Sequence, residues 1–397
     1  MLLVIWFFFL RSPGLEPTDT TGVQTFGTGD TLVGVSPTEG EGDNTAQSIQ
    51  SPTSQQKVFK ISNGPVAGAT FMQEARPTTT IARFVMQQNG HVLDLAIDSP
   101  GSVARAISNT TIPGASEIVW EMGSDATRQV ARGAVLRYVD QGNIKSVVLT
   151  FPAAATTTTI APVRIQFLPD NISSLAASPD GSLIVYLVAT GNGSDGYVAR
   201  ADGANQKKLF SLPLSQVVVS WPSSGVILAT SKAAAGVPGI AFSINATSGA
   251  VAPVLYATGL TTTADFGFDQ VVYQSADGTN KVTYAHNVKT NLDRTLSFDP
   301  IPEKCVWSRV QLSTMYCAVP LSYVPGDYID LWHQGVASAA DSIVSYNLIT
   351  GQNTILATPG SAEGGTASDI LQMALSADEK YLLYVRKGDR SLWGVRL

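Results

Sequence analysis

The stretch of the sequence richest in groups that could do chemistry is VPLSYVPGDYIDLWHQG, residues 319 to 335. It gathers Tyr323, Asp327, Tyr328, Asp330, Trp332 and His333 on a segment punctuated by Pro320, Pro325 and Gly326. Aromatic rings beside carboxylates make large contacts at low entropic cost, which suits docking to a protein surface or to a sugar ring. Long loops on a rigid scaffold are where binding residues concentrate. The same rings would equally serve as a lid packed over one end of that scaffold. These six residues form the candidate partner- or ligand-binding set.

Little else in the chain points to catalysis. The three histidines, His91, His286 and His333, stand apart in sequence. No HExxH, GxSxG, P-loop or CxxC pattern occurs, so the usual grounds for a metal, nucleophile or nucleotide site are missing. No catalytic residue, metal ligand or cofactor is assigned, and a hydrolase built from dispersed Asp, Glu or His at a central channel is the least supported reading. The turns PDG (179 to 181), GNGSDG (191 to 196) and ADGTN (276 to 280) could hold Ca²⁺, but turn chemistry explains their Asp and Gly without an ion. A net charge of −6 and no clustered Lys or Arg argue against a nucleic-acid partner.

Cys305 and Cys317 are the only cysteines, and they frame VWSRVQLSTMY, which reads as a hairpin. Folding it about Gln311 sets the two opposite each other across adjacent antiparallel strands, close enough to consider a bridge. A Cys305–Cys317 disulfide is therefore expected, and with it an exported protein, with two buried free thiols as the alternative.

The elements that must position these residues are strands. Charged residues are 14% of the chain, against about 25% in ordinary globular domains, while Gly, Ser, Thr and Val abound. From residue 57 onward the pattern is period-two runs bounded by Gly, Asp, Asn and Pro, and the runs come in groups. SLAASPDGSLIVYLVATGNGSDGYVARADGANQKKLFSL (174 to 212) holds four such runs, the size of one propeller blade. The rhythm recurs over 217 to 256, 263 to 298 and, with the long insertion, from Cys305 to Thr358. Upstream, EIVWEM to VRIQFL and GATFMQ to VARAIS form two more units. The last unit, ending in SLWGVRL, has only three strands, and the lone run KVFKIS (57 to 62) would supply its outer strand and tie the ring shut. The expectation is an all-β, seven-bladed β-propeller over 57 to 397; six or eight blades remain alternatives, because two units carry insertions. Trp120, Trp221 and Trp307 recur at similar points of three units and read as inter-blade core.

The chain opens on MLLVIWFFFL, too short to span a bilayer, which takes about 20 residues, and without the basic start of a signal peptide. It reads as part of a membrane anchor over 1 to 11. Residues 12 to 56 carry acids but no Lys or Arg and read as a disordered acidic linker.

SPDGSLIVYLV...GYVARADGANQKKLF resembles the repeat of TolB-like propellers, which belong with the WD40-like group in architecture. RFVMQQNGHVLDLAI, ISNTTIPGASEIVW, LPDNISSLAASPDG, PEKCVWS, MYCAVP and VPGDYIDLWHQGVASAADSI are similar to landmarks of uncharacterised membrane-anchored propeller proteins of candidate-phylum bacteria. The resemblance implies an N-terminal transmembrane helix, an exported seven-bladed domain and no assigned chemistry; the helix is half-length in this chain. The function expected is a non-catalytic scaffold: a monomeric interaction module on the outer side of the cell membrane, held by a single pass and facing an envelope protein. A glycan-binding module of the envelope is the alternative.

Overall fold

Runs such as LIVYLVAT, strand Leu183–Thr190, bury Ile184, Val185, Tyr186 and Leu187 without exposing either face. Successive side chains of a strand point to opposite faces, so a run buried on both must lie between two layers, and here the layers are neighbouring sheets. The computed structural model describes residues 49–51, 56–75, 78–108, 110–125, 128–151, 163–361 and 364–397. The anchor read over 1 to 11 and most of the linker fall outside these residues.

The strands form seven four-stranded antiparallel sheets arranged as a ring. In six of them four consecutive strands follow one another from the inside outward. First strands of adjacent sheets, such as Ile172–Ala177 and Val217–Ser223, lie against each other and surround the central axis. Six apolar cores join consecutive blades, for instance Val185, Phe210, Val217 and Trp221 between blades 3 and 4. A seventh joins the last blade to the first through Phe59, Phe71, Phe84, Leu383 and Val385. Trp120, Trp221 and Trp307 each sit in one of these inter-blade cores.

The three-stranded last unit is completed as expected. Val58–Lys60 pairs antiparallel with Leu392–Arg396, placing Val58 opposite Val395, Phe59 opposite Gly394 and Lys60 opposite Trp393. Gly394 is required there: a Cβ would come within 2.5 Å of the Phe59 ring. Pairing also reaches back into the stretch read as linker. Gln50 bridges Val103, Ala104 N–H donates to Ile49 O, and Ile49 packs against the core between blades 7 and 1. An apolar residue beside an unpaired edge gains burial, which corrects the disordered reading for 49 to 51.

Cys305 stands opposite Cys317 in register, and the two form a disulfide between the first two strands of blade 6. The hairpin turn falls over residues 308–313, around the Gln311 pivot.

Val58, Phe59 and Ile61 are all buried, and at about 2 kcal/mol each their removal costs roughly 6 kcal/mol. Deleting residues 57 to 62 is therefore expected to lower the melting temperature by on the order of 10 °C in a calorimetric scan. An unchanged scan would show that the ring does not depend on this strand.

Candidate functional site

The insertion of blade 6, between Thr314–Pro320 and Asp341–Asn347, carries the one α-helix among the described residues, Tyr328–His333. Pro325 and Gly326 turn the chain into it. Gly326 lies so close to the backbone of Gly278, Thr279 and Asn280 in blade 5 that a Cβ would clash at 2.7 Å. A small core of Ile301, Val324, Tyr328, Ile329 and Trp332 fixes the helix over this end of the ring.

The six sequence candidates divide into two groups. Tyr328 and Trp332 point inward and are buried, as packing anchors of a lid. Tyr323, Asp327 and His333 are exposed and Asp330 is half-buried. The Tyr323 hydroxyl donates to Thr279 O at 3.3 Å, which holds an otherwise open ring in place.

Beneath the lid lies a charge cluster that no local sequence pattern announces. Lys304 Nζ reaches Asp341 Oδ2 at 2.5 Å and Asp369 Oδ1 at 2.9 Å, with all three side chains almost fully buried. Trp332 Nε1 donates to the same Asp369 carboxylate at 2.9 and 3.0 Å. Lys387 Nζ donates to the carbonyls of Trp332 and Ala337 and lies 4.6 Å from the Trp332 ring centre. Burial holds the Asp341 carboxyl up at about 6, against the opposing pull of Lys304. Burial, then the charges of Asp369 and Asp341, raises the Tyr328 phenol.

Beside the helix a cavity of about 500 Å³ opens between blades 4 and 5. Its walls are Val219, Ser220, Thr230, Ser231 and Lys232 from blade 4 and Leu260, Thr261 and Thr262 from blade 5; the lid contributes Asp330, His333 and Gln334. Asp330 Oδ2 accepts from Ala235 N–H at 2.9 Å, tying the lid to blade 4. His333 Nε2 sits 2.7 Å from Glu303 Oε2, and that hydrogen bond raises the imidazole above its usual value. Of the candidate set, the cavity thus collects Asp330 and His333 and leaves Tyr323, Asp327, Tyr328 and Trp332 outside.

Elsewhere the polar candidates do structural work. His286 Nδ1 pairs with Asp293 at 3.0 Å, and His91 Nε2 lies 3.3 Å from Thr111. In the acidic turns the Asp180 and Asp277 carboxylates accept from backbone N–H groups two or three residues on, while Asp195 pairs with Lys208 and accepts from the Ser211 hydroxyl, both at 2.8 Å. One further carboxyl escaped notice in the sequence. Glu121 lies over Gly133 of the adjacent strand, where a Cβ would meet its Oε2 at 2.2 Å. It is 2% exposed, its Oε1 finds no partner, and burial pushes its pKa up to about 8.

The geometry defines a seven-bladed β-propeller with a lidded end. No family model matches the chain, and no curated protein matches it. Solved structures do. The chain is similar to a structure of a mitotic checkpoint complex, at 13% identity with a TM-score of 0.52, covering 93% of this chain and 99% of that one. It is also similar to a protein of unknown function from Desulfotomaculum acetoxidans (14% identity, TM-score 0.48, 80% and 92% covered). For TolB from Acinetobacter baumannii the values are 10% identity and a TM-score of 0.40, with 83% of this chain covered and only 63% of that one. At these identities the likeness concerns the fold, and it brings no support for a kinship with membrane-anchored propellers of candidate-phylum bacteria. Among the described residues no helix is long and apolar enough to cross a membrane.

Asp369→Ala strips Lys304 and the Trp332 indole of a shared buried partner, a loss of about 3 to 5 kcal/mol. Limited proteolysis is expected to cut this variant between residues 321 and 340 well before it cuts the blades; equal resistance to wild type would remove Asp369 as the staple. For Glu121, the folded chain keeps the proton up to about 8 and the unfolded chain only to about 4.5, so stability falls as pH rises across that window. Glu121→Gln is expected to flatten the melting temperature between those pH values and raise it at the upper end.

Proposed function

We propose that this protein is a non-catalytic interaction scaffold of the cell envelope. The propeller stands on the outer side of the membrane on an acidic tether and presents the lidded end to an envelope protein. The observation that carries this reading is the construction of the lid. From beneath it is locked by its own apolar core, by Asp369 and by Lys387. On its outer surface Leu321, Tyr323 and Val336 are 56%, 77% and 73% exposed. Apolar side chains held rigidly in the open pay little ordering entropy on binding, and an amphipathic tyrosine is a frequent anchor of protein interfaces. Asp327 beside them adds a charge at the rim, where it would select for a partner with basic groups.

The Cys305–Cys317 disulfide supports placement in an oxidising compartment, since such bonds persist outside the cytoplasm and are rare within it. The apolar run over residues 1 to 10 and the acid-only stretch after Arg11 support the tether.

The test is a cross-linked pull-down from solubilised envelope, with the full chain as bait beside Leu321→Ala plus Tyr323→Ala. Neither side chain is buried, and the only hydrogen bond removed is the long exposed one from Tyr323 to Thr279, so the double variant keeps the fold, which an unchanged circular-dichroism spectrum checks. An envelope protein captured by wild type is expected to fall at least about tenfold with the variant, a loss of 1.4 kcal/mol or more. Equal capture by both baits sinks the lid as the docking surface.

A further inference from the structure

We propose that Lys304 and Asp341 condense to an intramolecular amide, an isopeptide bond that braces the base of the lid. The inference stands apart from the docking surface, because it uses none of Leu321, Tyr323 or Val336. Both residues belong to blade 6. Lys304 closes the short turn Pro302–Lys304 before the first strand, and Asp341 opens the strand Asp341–Asn347 directly after the lid. Lys304 Nζ lies 2.5 Å from Asp341 Oδ2, one bond from the carbon that an amine attacks. The side chains of Lys304, Asp341 and Asp369 are 1%, 0% and 2% exposed, so bulk water is kept from the reacting atoms. In water an ammonium and a carboxylate stay apart as ions, because both are well solvated and water is in excess. Buried, each charge carries a desolvation cost, and condensation removes both charges at once.

The three groups divide the work. Asp369 Oδ1 lies 2.9 Å from Lys304 Nζ, within reach to take a proton from the ammonium and free the lone pair of the amine. Asp369 is itself fixed by donors: Trp332 Nε1 at 2.9 and 3.0 Å, and the Ser338 hydroxyl at 2.8 Å. Asp341 is the electrophile. Ile370 N–H donates to its Oδ2 at 2.7 Å, where it polarises the carbonyl and then remains as donor to the amide oxygen. Burial favours the protonated Asp341 carboxyl, the form whose hydroxyl can leave, and no partner holds its Oδ1. The Trp332 ring, 5.4 Å from Lys304 Nζ, closes the space beside the amine. Atoms and charges balance. Of the three hydrogens on the ammonium one stays on the amide nitrogen, and two leave with Asp341 Oδ1 as water. The C–N bond forms as the C–O bond breaks, and Asp369 relays the proton and ends as it began. After the step Lys387 Nζ, at 3.8 Å, remains as the counter-charge of Asp369.

The experiment is mass spectrometry of the full chain under denaturing conditions. The chain is expected to weigh one water less than its disulfide-bonded sequence requires. Tryptic digestion follows reduction and alkylation of Cys305 and Cys317, whose bridge otherwise joins the same two peptides. Trypsin is then expected to leave the bond after Lys304 uncut, and fragmentation to find residues 295–309 joined to residues 310–380 through Lys304 and Asp341. Lys304→Ala and Asp341→Ala are expected to restore the full mass. Asp369→Asn is expected to leave the chain mostly unjoined at harvest, since losing a proton-transfer group slows such a step by about a hundredfold or more. If the variants fold poorly, the joined peptide of the wild-type chain carries the test alone. Three results overturn the proposal: full mass in the wild-type chain, which leaves the cluster a plain ion pair; a water loss that maps elsewhere, as a succinimide at Asp180–Gly181 would give; or joining undiminished in Asp341→Ala. None of them bears on the envelope pull-down, which reads a different surface.

Discussion

A ring of blades has no partner to spare. Each blade is apolar on both faces, so the seven interfaces either close together or leave two faces bare to water. Closure here depends on three residues, Val58–Lys60, paired with Leu392–Arg396 at the end of the last blade. The pairing does more than cover an edge. Val58 belongs to the core between blades 6 and 7, while Phe59 and Ile61 belong to the core between blades 7 and 1. Alternation of side chains along one short strand thereby feeds both interfaces of the last blade.

Once the ring is closed, its ends are fixed platforms, and the lid is built on one of them. The lid starts and finishes in blade 6, yet it is held by Ala235 of blade 4, Thr279 of blade 5, and Asp369 and Lys387 of blade 7. The cluster beneath it works by mutual dependence. Two buried carboxylates would repel, and a buried lysine alone would lose its charge; Lys304 and the indole N–H partner Asp341 Oδ2 and both oxygens of Asp369, while Asp341 Oδ1 stays unpartnered. Such a cluster adds little net stability over an apolar core. Its value lies in geometry, since only one placement of Trp332 reaches Asp369.

The blades were legible because their signals are local. Alternation in LIVYLVAT, the PDG and ADG turns, and the unpaired KVFKIS each state their structure within a few residues. The Cys305–Cys317 bridge was legible for the same reason: hairpin register is arithmetic about the turn. The site was not. The residues of VPLSYVPGDYIDLWHQG declared that something would happen there, but which way Trp332 faces is set by Asp369, 37 positions later in sequence. The cavity is less legible still. Thr261 stands in an ordinary strand, TTTA, and only the juxtaposition of blades 4 and 5 with the lid turns it into a lining residue. Glu121 escaped because EIVWEM reads as a plain alternating strand, and nothing in it reveals that Gly133 opposite makes room for a buried carboxyl.

The rigidity of the lid bears on how such an end can bind anything. If the insertion were held only at its two ends, ordering its 20 or so residues would fall on the binding step, at about 1 kcal/mol or more per residue fixed. Here the contacts with blades 4, 5 and 7 meet that cost during folding. The cavity walls are likewise strand residues of the ring or side chains of the anchored helix, so their positions do not wait on a ligand. Binding free energy at either surface of the lid is then limited by contact and desolvation rather than by ordering. The same anchoring separates the two surfaces. Tyr323 and Val336 are exposed, Asp330 and His333 line the cavity, and the buried core of Tyr328, Ile329 and Trp332 anchors the helix that carries the second pair.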